Sequence, residues 1–286
     1  MSQREWTTAW MACLAALSLV SCKSGPPPVR MGTAEWYWNA AREQYAAGDF
    51  VKTQEHLEKL MDGDSQFKAR AASWYVVLLA GMARGSRELA DAYEDGAPAA
   101  KAQTADFRRT VNDQRRMSRH YTIMLAEQIN RFQQETDKAD KVALEFAFPI
   151  GSAAEPPTLI NIRKGLLPQD AERASVNRQS IARGIVLQAA AAVGEDPAKA
   201  AEMFKAQPLE VPRFVFLHGV ADGLVEQSAL FNRKKLQEPD KKKILLDLAA
   251  GCAKSAGEAA GDDAMKKKIK DLQAKIEKEQ KSIGKV

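Results

Sequence analysis

Between Trp10 and Cys22 the chain reads Trp-Met-Ala-Cys-Leu-Ala-Ala-Leu-Ser-Leu-Val-Ser-Cys, and no other stretch limits its possible folds and locations so strongly. An apolar run of this length is too short to cross a bilayer, and it ends in small residues and a cysteine. That is the form of an export signal rather than of a membrane-spanning helix. Leu14, Leu17, Leu19 and Val20 supply the apolar core, and Ser21 is small enough for a peptidase to admit beside the thiol. Positive charge ahead of the run is slight, because Glu5 partly offsets Arg4. Lys23-Ser24-Gly25-Pro26-Pro27-Pro28 follows at once, and consecutive prolines cannot continue a helix. Residues 1–21 therefore read as a signal peptide and residues 22–32 as an extended, semi-rigid spacer.

Leu19-Val20-Ser21-Cys22 resembles the lipobox of bacterial lipoproteins, in which the cysteine is acylated and becomes the first residue of the mature chain. The resemblance implies three acyl chains on Cys22 and its new amino group. One chain alone gives only marginal membrane binding, at about 0.8 kcal/mol per buried CH₂, whereas three make release negligible. Lys23 stands where an aspartate would signal retention, so the resemblance also implies the periplasmic face of the outer membrane. Cys13 leaves with the signal and Cys22 is consumed, which makes Cys252 the one remaining thiol and excludes an internal disulfide. Its setting, Leu245-Leu246-Asp247-Leu248-Ala249-Ala250-Gly251-Cys252, suits a small buried apolar side chain.

The remaining chain reads as all-α. A protein of 286 residues can bury a sizeable core, as one large helical domain or two small ones. Alanine, lysine, leucine and glutamate are frequent and β-branched runs are few. Residues 33–136 form an expected N-terminal helical lobe. In it Thr33 caps a helix from Ala34 to Ala47, and Gly48-Asp49 separates that helix from one spanning Phe50 to Met61. Phe67 to Arg84 and Arg87 to Asp95 read as two helices parted by Gly85-Ser86. A long helix then runs to about Thr136, with Phe107, Val111, Tyr121, Leu125, Ile129 and Phe132 on its buried side. Periodicity fails in 137–168, an irregular connection in which Val142, Leu144, Phe146 and Phe148 alternate like a strand while Ala143 and Ala147 also permit helix. It is a candidate lobe boundary, or an ordered loop crossing the helical surface. Residues 169–286 form a C-terminal helical lobe. Its helices span Asp170 to Val193, Ala198 to Ala206 after an Asp196 cap, Val211 through Phe231, and Pro239 to about Ala256, ending with a lysine-rich helix from Asp262 to Ile283.

Tyr37, Ala41, Tyr45, Gly48, Asp49 and Phe50 lie at or within one residue of the pattern of a tetratricopeptide repeat. The chain from Ala34 to about Tyr93 thus resembles the helical-repeat lipoproteins of outer-membrane assembly. The resemblance implies helical hairpins packed as a solenoid or compact superhelix, whose concave surface holds a segment of an envelope protein.

The sequence advertises no catalytic site, no metal site and no cofactor. His56, His120 and His218 stand far apart, without His-x-x-x-His or Cys-x-x-Cys spacing, and neither a Gly-x-Ser-x-Gly elbow nor a phosphate loop is present. One feature exceeds background. Arg108, Arg115 and Arg119 lie along one side of the long helix, with Arg109, Arg116 and His120 on the adjoining strip and only Asp106 and Asp113 nearby. A solvated helix face is one reading. The other is a groove for an anionic partner or ligand, centred on Arg108, Arg115, Arg116 and Arg119, since the guanidinium fork binds carboxylates in a bidentate way. Export and a net charge of only +5 disfavour nucleic acid.

The expected function is accordingly that of a non-catalytic protein–protein adaptor held to the cell envelope by lipid, with its oligomeric state left open. The alternative resembles the helical lipoproteins associated with periplasmic solute transporters, which enclose a small ligand in a pore. Replacing Cys22 by serine should abolish palmitate incorporation and move the protein from the membrane to the soluble fraction, as read by metabolic labelling and fractionation.

Overall fold

The computed structural model describes residues 29–232 and 234–283. The signal segment and Cys22 lie outside the described residues. Ten α-helices and one two-stranded sheet make up the described chain, which is mostly helical. None of the described helices is long and apolar enough to cross a membrane.

Helix α1 (Ala34–Ala46) opens at Thr33, whose hydroxyl accepts the Trp36 N–H. Gly48 turns the chain at φ +73°, a conformation that glycine reaches without strain. Asp49 then caps α2 (Phe50–Asp62) by accepting the Lys52 N–H at 3.1 Å. The pair leans on α3 (Lys68–Gly96) through an aromatic cluster. Trp38 stacks on Phe67, and Tyr45 meets Phe50 and Trp74 edge to face.

Every residue of α3 from Ala71 to Ala83 is buried, so the helix is apolar all round and other elements must cover each of its faces. A 3₁₀ turn (Lys101–Gln103) leads into α4 (Thr104–Glu135), which runs back antiparallel along α3. The pairing of the two is marked by Tyr93 against Phe107, by the Ser118 hydroxyl on the Ala83 carbonyl at 2.8 Å, and by Lys68 with Glu135 at 3.0 Å. All six apolar residues expected on the inner side of α4 are buried.

One expectation is corrected here. Gly85-Ser86 does not divide two helices: α3 passes through it unbroken, with both residues buried. These glycines serve close approach rather than chain reversal. A Cβ at Gly85 would lie 2.4 Å from the Ser180 carbonyl oxygen, and one at Gly81 only 2.5 Å from Ile185 Cα. Both contacts belong to α6 (Asp170–Val193), whose own Gly184 sits with its missing Cβ 2.2 Å from the Gly81 carbonyl oxygen.

The connection 137–168 is ordered and holds regular pieces. Strand β1 (Lys141–Leu144) pairs antiparallel with β2 (Leu209–Pro212), Val142 facing Val211. The alternation at Val142 and Leu144 was thus that of a strand, and the Ser73 hydroxyl ties it to α3 by donating to the Ala143 carbonyl at 2.7 Å. Phe146 continues inward beyond the strand and stacks on Trp74, with ring planes 11° apart. Helix α5 (Pro157–Arg163) completes the segment, burying Leu159 and Ile162. Helix α7 (Pro197–Met203) follows α6, capped by Asp196 as expected. The expected helix opening at Val211-Pro212 is also corrected. These two residues finish β2, and α8 (Arg213–Ser228) begins only once the ladder ends.

Helices α8, α9 (Pro239–Ala259) and α10 (Asp263–Ile283) close the other side, after a 3₁₀ turn at Ala229–Phe231. Ile269, Leu272 and Ile276 dock α10, as their spacing predicts. Cys252 is fully buried in α9. The Gln133 amide donates to its sulfur at 3.3 Å, and burial pushes the thiol up to about 12. The main hydrophobic cluster takes residues from both sides of 137–168, including Trp38, Leu125, Phe216, Leu246 and Ile276. A smaller cluster joins Tyr93, Phe107, Leu159 and Val176.

Gly184→Val should destabilise the protein by more than the ~1–3 kcal/mol of ordinary overpacking, because backbone rather than side chain blocks the new atoms. Urea unfolding should show the drop as a lower midpoint.

Candidate functional site

A pocket of about 460 Å³ opens where the α1–α2 turn, residues 150–157 and α6 meet. Helix α1 ends with Tyr45, Ala46 and Ala47 on its wall, and α2 begins with Phe50 beside them. Arg178 of α6 reaches across the turn, its Cδ 3.6 Å from the place where a Gly48 Cβ would be. The far wall is a loop that lies tightly on α6, since a Cβ at Gly151 would come 3.3 Å from Ala182 Cβ. Two arginines hold that loop: Arg183 Nε donates to the Ala153 carbonyl at 2.8 Å and Arg163 Nε to the Glu155 carboxylate at 2.9 Å.

The lining is mainly apolar and carries few polar groups. Tyr45 is buried and, among the described residues, its hydroxyl has no hydrogen-bond partner. Burial also holds its ionisation well above the usual tyrosine range. Ser152 Oγ accepts the Ala154 N–H at 3.0 Å. Arg178 is exposed and has no ion pair among the described residues, while Ile150 stands 80% exposed in the loop. Such a surface is equipped to hold an apolar group and to offer one cation to whatever charge the group carries.

The arginine stripe expected from the sequence lies elsewhere. Arg115 pairs with Glu94 at 2.6 Å and is 11% exposed; Arg119 grips both oxygens of Glu238, at 2.8 and 3.2 Å. That fork holds the Glu238 carboxyl below its ordinary value. Arg116 pairs with Asp113 at 3.0 Å and Arg109 with Asp106 at 3.8 Å. Arg108 is exposed, without an ion pair among the described residues. Glu94 comes from α3 and Glu238 from the start of α9, so the tertiary fold adds carboxylates that lie far away in sequence. Arg108, Arg115, Arg116 and Arg119 do not line the pocket at the α1–α2 turn.

A second, apolar groove of about 480 Å³ lies between α4 and α9, lined by Ile123, Ala126, Ile244 and Leu248 among others. Glu238 links Arg119 to Lys241, which lines that groove, at 2.7 Å. The three histidines remain apart. His56 packs edge-on against Trp36, His120 is exposed beside Tyr121, and His218 is half-buried. Burial holds His218 below its ordinary value, Asp222 opposing and Lys268 reinforcing the shift. Among the described residues no three His, Cys, Asp or Glu side chains gather as a metal ion requires.

The sequence marked one side of the first pocket as a Gly-Asp turn and left the other within the irregular connection 137–168, without relating them. Arg178 left no signal, because a single arginine on the polar face of a helix is ordinary. Compared with protein-family models, with curated proteins and with solved structures, the chain matches none.

The Arg119–Glu238 pair is partly solvated, so Arg119→Met should cost about 1 kcal/mol or less. Arg116→Ala should fall within about 0.5 kcal/mol of the parent. Chemical denaturation of the two variants measures both.

Proposed function

We propose that the protein is a non-catalytic adaptor, tethered to the cell envelope through an acylated Cys22, that holds an apolar segment of another envelope protein. The observation that carries this reading is the open, mainly apolar pocket of about 460 Å³ beside the α1–α2 hairpin, with Arg178, unpaired among the described residues, as its cation. The hairpin itself, turned at Gly48 and capped by Asp49, is the part of the chain built in the manner of a tetratricopeptide repeat. In that architecture small residues such as the buried Ala41 let the paired helices approach. The proline-rich spacer would lift the helical body off the lipid surface, so that the pocket faces other envelope components.

A second reading uses the same pocket for a small amphipathic molecule, since its volume falls within the range of about 300–1,000 Å³ typical of such sites. Two measurements separate the readings. A photo-crosslinking amino acid at position 150 in intact cells should yield a discrete polypeptide adduct, weakened at least tenfold by Arg178→Glu without a change in thermal melting. Native mass spectrometry of the purified protein should detect a retained small molecule if the second reading holds. Adducts unaffected by Arg178→Glu would overturn the assignment of the pocket.

A further inference from the structure

Arg84 and Arg87 of α3, Arg163 of α5 and Arg183 of α6 line one small cleft of about 230 Å³, together with Glu88 and Asp91. Its volume lies below that of drug-sized pockets, so any occupant is small. Its lining is charged throughout, so the occupant is polar. Four guanidinium groups meet two carboxylates on the lining itself, and Glu226, Asp95 and Glu155 pair with those arginines from beyond it.

The hydrogen-bond inventory narrows the class further. Each guanidinium carries five N–H donors. Among the described residues, the Glu226 carbonyl takes one from Arg87, Glu155 and Asp95 take one each from Arg163, and the Ala153 carbonyl and Glu88 take one each from Arg183. Arg84 Nη1 lies 3.1 Å and Arg87 Nη2 3.7 Å from Glu226 Oε2, and among the described residues that oxygen has no hydrogen-bond partner. No nitrogen of the four arginines is both buried and unpartnered among the described residues, so their spare donors face the solvent in the cleft. Burial lowers the Arg87 guanidinium from its ordinary value despite the neighbouring Glu226 and Asp91. The second carboxylate of the lining, Asp91, is engaged by Lys235. Glu88 presents the opposite need: among the described residues its buried Oε2 has no hydrogen-bond partner, and it calls for an O–H or N–H donor.

We propose that this cleft binds a protonated oxyanion of the phosphate class, either free phosphate or a phosphomonoester headgroup. The guanidinium groups take the charged oxygens, and Glu88 accepts the hydrogen of the remaining P–OH. A planar carboxylate can be satisfied by one arginine fork, whereas a tetrahedral anion uses donors arriving from several helices. Sulfate has the same shape and charge but carries no proton at neutral pH, so Glu88 repels it. This inference stands independently of the apolar pocket.

Calorimetric titration of the purified full-length protein with inorganic phosphate, at constant ionic strength in sodium chloride, should reveal one saturable site. Sulfate should bind at least tenfold more weakly. Arg87→Gln should weaken phosphate at least tenfold. Glu88→Gln should erase the preference for phosphate over sulfate, and it carries the test if Arg87→Gln fails to fold by circular dichroism. Vesicles of phosphatidylcholine with and without phosphatidate, mixed with the Cys22→Ser form, separate the two sources. Phosphatidate-dependent binding that inorganic phosphate displaces assigns a headgroup, and calorimetric binding without vesicle binding assigns the free anion. Absence of saturable phosphate binding in both arms, or equal affinity for phosphate and sulfate in the parent protein, would overturn the proposal.

Discussion

The close crossing of α3 and α6 is the contact on which the rest of the molecule depends. Glycine in a helix interior costs roughly 0.5–1 kcal/mol relative to alanine, and α3 and α6 place Gly81, Gly85 and Gly184 at their crossing. The cost is outweighed because alanine methyls there would lie 2.2–2.5 Å from backbone atoms of the facing helix. With the backbones this close, α3 can be covered on its several faces: α6 covers one, α4 another, and α2, α5, β1 and α8 the remainder. Between Ala71 and Ala83 the helix has no solvent-facing stripe, and the elements around it are positioned by what it leaves uncovered.

The segment 137–168 follows from that arrangement. It has too few regular residues to build a layer, yet it supplies Phe146 to the aromatic stack on Trp74 and Leu159 and Ile162 to the second cluster. Its loop lines the apolar pocket and is pinned by Arg183 and Arg163, which also line the arginine cleft. One wall of the pocket is therefore made of chain without helical period. Such a wall can carry Ile150 exposed and Gly151 in tight contact within two residues, which a helix cannot do as freely.

Charge shows the same dependence on tertiary neighbours. Along α4 the arginines look isolated because Asp106 and Asp113 are the near carboxylates in sequence. Folding brings Glu94 to Arg115 and Glu238 to Arg119, and apart from Arg108 the stripe's arginines join ion pairs that are partly solvated and individually worth little. On α3 the reverse happens. Arg84 and Arg87 are unremarkable in sequence, yet α5 and α6 add two more guanidinium groups to the same small volume. Local composition thus misplaces the electrostatic centre of the molecule.

The sequence by itself determined what depends on neighbours a few residues away. The caps at Thr33 and Asp196, the break at Gly48-Asp49, the buried faces of α4 and α10, and the strand alternation at Val142 and Leu144 were all legible there. These features rest on backbone hydrogen bonds and a 3.6- or two-residue period, which the chain carries in its own order. Only the tertiary structure decided that Gly85 lies inside a helix and that Val211-Pro212 ends a strand. It alone joined the Gly48 turn to the Pro-rich loop and gathered the arginines of three helices around one cleft. A glycine signals a turn or a close crossing with the same letter, and a charge has no partner until folding supplies one from distant chain. Packing chooses between those meanings because it alone sets which backbones touch and which charges leave water together.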